Sequence, residues 1–89
     1  MQSSLPPWWK TENNTLNRKF VFPDFMSAIN FMNKISIICE EIDHHPDWRN
    51  LYTSLYVTLT THETGNTITQ KDILLAEKMN ILFWEEKNT

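Results

Sequence analysis

The chain has 89 residues, 40% of them hydrophobic, and 8 Lys/Arg against 11 Asp/Glu leave a formal charge of −3 at pH 7. That length suits one small domain whose own burial gives modest stability, so a second copy would add core. No Lys/Arg cluster follows a phosphate backbone, no apolar run approaches membrane-spanning length, and the lone Cys39 lacks an intramolecular disulfide partner. Nucleic acid and membrane are therefore excluded as expected partners, and a reducing compartment fits.

Residues 1–7, polar with a Pro6-Pro7 pair, are expected to form a flexible arm, and residues 8–89 a single domain. The start lacks the basic residues and apolar run of a secretory signal, which predicts a cytoplasmic protein. Trp8 to Glu12, then Asn13-Asn14, then Thr15 to Phe22 reads as a β-hairpin, because asparagine tolerates the positive φ of a tight turn. With Asn13-Asn14 as the turn, Trp9 lies across from Arg18, within reach of a cation–π contact. Packing at the sheet end and a ligand-facing role are both open for Trp9. Leu16, Arg18, Phe20 and Phe22 share one face of the second strand.

Pro23 keeps Phe22 extended and Asp24 caps a helix running to about residue 42. Its core stripe is Phe25, Ala28, Ile29, Met32, Ile35, Cys39 and Ile42, which makes Cys39 a buried hydrophobe. Met26, Phe31, Ile37 and Ile38 fall outside that stripe, a surplus that suggests a subunit contact. Glu40, Glu41 and Asp43 crowd the helix C-terminus, where the macrodipole disfavours anions. A solvated acidic face accounts for such a run, but Glu40 also stands four residues before His44, where it can hold an imidazole. Pro46 ends the helix near Asp43 or His44, so that His44 and His45 project from a loop in different directions.

Residues 51–61 alternate, with Leu51, Leu55, Val57 and Leu59 on one side and Tyr52, Ser54, Tyr56, Thr58 and Thr60 on the other. The run is long for one strand and calls for a bend or bulge near Thr53 and Ser54. His62 ends it, and Gly65 supplies a positive φ in the following turn. Thr69 as N-cap with Asp72 at the third helical position starts a helix to about residue 86, buried along Leu75, Ala76, Met79, Leu82 and Phe83. Capping alone accounts for Asp72, and a second role beside His62 is the other reading. These elements predict an α+β two-layer domain, an antiparallel sheet with helices on one face.

The three histidines, with neighbouring carboxylates, supply groups that exchange protons near neutral pH. Zinc would draw on Glu40, His44, His45 and His62, but no familiar metal-ligand spacing is present and adjacent histidines do not readily converge on one ion. Nucleophilic catalysis lacks a Gly-x-Ser-x-Gly turn, and Cys39 belongs to the core. Proton transfer without metal or cofactor is what remains.

Glu40, His44-His45-Pro46, Tyr52, His62 and Asp72, flanked by Trp9, Leu16 to Phe22, Phe25 and the helix start at 69–76, resemble the signature of the pterin-4a-carbinolamine dehydratases over roughly residues 8–80. The resemblance implies a β-β-α-β-β-α fold with a four-stranded antiparallel sheet, often with a short N-terminal helix. It also implies dehydration of 4a-hydroxytetrahydropterin to quinonoid dihydropterin in tetrahydrobiopterin recycling, with no cofactor. By resemblance, His44 and His62 are the acid/base pair, and His45 holds the pterin and shares in proton transfer. Glu40 and Asp43 orient the imidazoles, Asp72 supports His62, and Trp9 lies against the ring. A homodimer or homotetramer linked to an aromatic amino acid hydroxylase is expected. The other class implied is a non-catalytic dimerisation or assembly module on the same fold.

Overall fold

A computed structural model describes residues 5–87. The expected arm at 1–7 lies partly outside them; within them Pro6 is buried, and Asn80 Nδ2 donates to the Pro7 carbonyl at 3.0 Å. The order is β1 (Lys10–Glu12), β2 (Thr15–Val21), α1 (Phe25–Ile42), β3 (Asp47–Leu51), β4 (Ser54–Leu59), a 3₁₀ turn at His62–Thr64, and α2 (Gln70–Lys87). All pairs in the sheet are antiparallel, in the order β1-β2-β4-β3. This is the α+β fold expected, although no helix precedes β1 among the described residues.

Asn13 and Asn14, at φ 50° and 62°, make the β1–β2 turn. Alternation then sends Leu16 and Phe20 of β2 and Leu55, Val57 and Leu59 of β4 to the helix-covered face, where all are buried. Phe20, Phe22, Phe31 and Phe83 meet there with ring centroids 5.0 to 6.5 Å apart, an arrangement that adds edge and offset contacts to the area they bury.

Three expectations are corrected. The interruption expected near Thr53 and Ser54 is a hairpin turn and not a bulge: Tyr52, at φ 55°, and Thr53 form it, and β3 begins earlier, at Asp47. Leu51 consequently pairs with Ser54 on the open face and is 58% exposed instead of joining Leu55. In α1 the fully buried aromatic is Phe31, whereas Phe25 is 43% exposed, because it is Phe31 that faces the rings of Phe20, Phe22 and Phe83. The ring beside Arg18 near the N-terminus is that of Trp8, 5.2 Å from the guanidinium carbon, and not Trp9.

Helix ends set the position of the histidines. Asp24 Oδ1 accepts the Ser27 N–H at 2.8 Å and starts α1. Asp43 closes it in the left-handed region at φ 54°, and the His44 N–H turns back to the Cys39 carbonyl at 3.0 Å. The chain therefore leaves α1 with His44 pointing inward and His45 outward.

Candidate active site

His44 is 7% exposed, and its Nε2 lies 2.6 Å from Oδ1 of Asp72, which is fully buried. The second oxygen of Asp72 accepts from the Thr61 hydroxyl at 2.7 Å and the Thr69 N–H at 2.9 Å. One carboxylate thus caps α2 and grips an imidazole. The two readings of Asp72 merge, but its histidine is His44 and not His62. This follows from chain closure: Thr61 and Thr67 form a bridge that brings α2's first turn under the loop after α1.

The exposed His45 donates from Nε2 to Glu40 Oε2 at 2.7 Å, so Glu40 serves His45 and not His44. The left-handed turn at Asp43 is the reason, since it rotates His44 away from the last helical turn. His62 Nδ1 lies 2.6 Å from Oδ1 of Asn66, whose φ of 65° curls the loop back on itself. Sequence reasoning missed both Asn66 and Thr61. The signal for Asn66 was its place after Gly65 in a tight turn, where Asn is favoured.

Each acceptor is a carboxylate or amide oxygen, so each imidazole carries its proton on the nitrogen facing that oxygen. Neutral His44 and His45 then present bare Nδ1, and His62 presents bare Nε2. His44, His45, His62, Asp43, Thr60 and Glu63 line one open depression of about 280 Å³. Asp72 stands behind it and Glu40 beside it. Trp9 is not brought there: it is 5% exposed, packs edge-on against Phe20 at 5.9 Å, and donates its indole N–H to Asn80 Oδ1 at 2.8 Å. Among the described residues no group of three or more His, Cys, Asp or Glu is disposed to hold a metal ion, and no helix is long and apolar enough to cross a membrane.

A four-stranded antiparallel sheet backed by two helices, with three tautomer-fixed histidines around a surface depression, defines a small α+β domain equipped for proton exchange. The chain belongs to the pterin 4 alpha carbinolamine dehydratase family, whose model matches residues 1–82. A Prochlorococcus marinus (strain NATL2A) protein provisionally named pterin-4-alpha-carbinolamine dehydratase is 45% identical over 76 residues, covering 85% of this chain and 79% of its own. A Rhodopseudomonas palustris (strain BisB18) protein of the same provisional name is 46% identical over 79 residues, 88% of this chain and 77% of its own. The crystal structure of a transcriptional coactivator/pterin dehydratase from Brucella melitensis superposes with TM-score 0.81 at 39% identity, covering 84% of this chain and 81% of that one. A pterin dehydratase-like RuBisCO assembly factor of the alpha-carboxysome shares the fold, with TM-score 0.68 at 18% identity over 84% of this chain and 86% of that one.

Proposed function

We propose that this domain dehydrates 4a-hydroxytetrahydropterin to quinonoid dihydropterin and water, by proton transfer among its histidines. The observation that carries the reading is the convergence of His44, His45 and His62 on one depression, each held through one ring nitrogen. In the reaction the C4a–O bond breaks and the hydroxyl leaves as water after gaining a proton. The N5–H proton goes to a base as the C4a=N5 bond forms, so one acid and one base balance the step. His44 and His62 take these roles. His45 holds the pterin and shares in the transfer, Asp72 and Glu40 orient His44 and His45, and Asp43 places a carboxylate at the rim. Trp9 contributes packing.

The same reading includes a homodimer or homotetramer in the cytoplasm, serving an aromatic amino acid hydroxylase in tetrahydrobiopterin recycling. Exposed Met26 and Ile37 on α1 and Ile81 on α2 support the assembly, because covering them adds core to a small domain. Steady-state dehydration of a 4a-hydroxytetrahydropterin by the purified, chelator-treated protein tests the activity. Acceleration above the uncatalysed rate supports it. A rate equal to the uncatalysed one sinks it and leaves the binding-module reading in its place.

A further inference from the structure

The open face of the sheet carries a second concentration of chemistry, away from the histidines. A cavity of about 390 Å³ there is lined by Trp8, Lys10, Asn17, Lys19, Tyr56 and Thr58, together with Arg18 and Val57. Its volume falls in the range of about 300–1,000 Å³ usual for small-molecule sites. Strand register builds it: Lys10, Asn17, Thr58 and Asp47 form one cross-strand row, and Lys19, Tyr56 and Arg49 form the next. Adjacent rows on one face stand about 7 Å apart, so Lys10 and Lys19 bring two ammonium groups to the same cavity.

The aromatic surfaces are already electrically biased. Lys19 Nζ lies 5.5 Å and Arg49 Cζ 4.6 Å from the Tyr56 ring centroid, on a strand pair whose register fixes all three. Trp8 is 71% exposed and held at φ 72°, a backbone state costly for a bulky residue, with the Arg18 guanidinium beside its ring. Three of the chain's 8 Lys/Arg, Lys10, Lys19 and Arg49, therefore gather on the open face of a protein with net charge −3, and Arg18 reaches the Trp8 ring from the helix-covered side. The acids of this face, Glu12 and Asp47, lie outside the cavity lining.

The geometry points to a second ligand site that takes a flat aromatic ring bearing a phosphate, a nucleoside monophosphate in its simplest form. The ring stacks on exposed Trp8, the phosphate sits between Lys10 and Lys19, and the Thr58 hydroxyl oxygen, whose proton goes to Asn17 Oδ1 at 2.7 Å, is left to accept from a ligand hydroxyl or N–H. Point-charge ammonium groups suit a compact dianion, and an exposed indole suits a π-face. No Lys/Arg cluster marks the site in the sequence, because Lys10 and Lys19 stand on opposite sides of the β1–β2 turn, and Tyr56 and Thr58 come from β4, much further along the chain.

Calorimetric titration of the full chain with guanosine 5′-monophosphate, guanosine and inorganic phosphate tests this. Saturable binding of the monophosphate is expected, with guanosine and phosphate each weaker by roughly tenfold or more, since each lacks one half of the recognition. Lys19→Glu should weaken monophosphate binding at least about tenfold, as should Trp8→Gly, which relieves the positive φ and so keeps the fold. His62→Ala should leave it unchanged. No saturable binding, equal affinity for phosphate alone, indifference to Lys19→Glu, or loss in His62→Ala would each overturn the proposal. So would binding of an oligothymidylate by a protein that ignores the mononucleotide, which would mark a nucleic-acid surface instead.

Discussion

Asp72 Oδ1 receives the Nε2 proton of His44 at 2.6 Å from a position with no solvent exposure, 28 residues further along the chain. Its other oxygen is occupied by Thr61 and Thr69. All its neighbours donate, a pattern that only an ionised carboxylate satisfies in full.

Asp72→Asn should therefore damage both stability and rate. The amide has one acceptor oxygen, so its NH₂ must face either the Thr61 and Thr69 donors or the His44 ring. The first leaves a buried donor unpaired, at about 1–3 kcal/mol; the second forces the opposite His44 tautomer and puts the proton on Nδ1. Denaturant unfolding reads the first loss. A fall in kcat with little change in KM, together with altered His44 ¹⁵N shifts, reads the second. Wild-type kcat and shifts in a destabilised protein would reduce Asp72 to a helix cap.

His44→Ala and His62→Ala should each lower kcat by about 100- to 10,000-fold, the usual contribution of a general acid or base. His45→Ala should act more on KM, as expected of a group that holds substrate. Glu40→Gln should change little, because Glu40 and His45 meet as a solvent-exposed pair with side chains 77% and 59% accessible. Wild-type rates in all three histidine variants would remove the catalytic assignment.

The elements were legible where a local pattern has one structural solution. Asn13-Asn14 reads as a turn because few residue pairs tolerate two positive φ values, and Thr69 with Asp72 reads as a helix start because the capping geometry is local. Alternation fails where it runs through a turn: Leu51 and Leu55 share parity, yet the hairpin between them puts Leu51 on the opposite face. The 3.6-residue stripe finds Ala28, Ile35 and Cys39, but drawn through Phe25 and Ile29 it leaves out Phe31, which stands three residues after Ala28 and four before Ile35 and packs against Phe20, Phe22 and Phe83. In the candidate site, residue identities were legible and partners were not. Spacing along a helix favours Glu40 with His44, whereas the left-handed turn at Asp43 gives Glu40 to His45 and frees His44 for Asp72.

Cys39 should be inert in the folded protein. Burial, reinforced by the neighbouring Glu40 charge, pushes its thiol up to about 11, so almost none is thiolate at pH 8. Reaction with a disulfide reagent should therefore be slow in buffer and fast in denaturant. The linkage has a sign: an unfolded thiol ionises first, near 9, so stability from this group is intact below pH 9 and falls as pH rises toward 11. Cys39→Ala should flatten that alkaline decline, as measured by thermal unfolding from pH 8 to 11. Rapid labelling of the native protein at pH 8 would contradict the burial of this thiol.

Asn66 provides the sharpest separation of positioning from chemistry, because it touches His62 and is absent from the residues lining the depression. Its backbone sits at φ 65°, so alanine would confuse lost hydrogen bonding with strain, and glycine is the cleaner deletion. Asn66→Gly keeps the loop path and removes the oxygen that holds Nδ1–H, letting His62 sample both tautomers and several ring orientations. The rate should fall, though by less than in His62→Ala, since the imidazole itself remains. Asn66→Asp restores an oxygen acceptor on a residue that also tolerates this backbone region. It should recover most of kcat and return the His62 ¹⁵N shifts toward the Nδ1–H pattern. If Asn66→Gly lowers activity and Asn66→Asp fails to restore it while the shifts do recover, the hydrogen bond is not what makes His62 effective. The loop's conformation would then carry the effect.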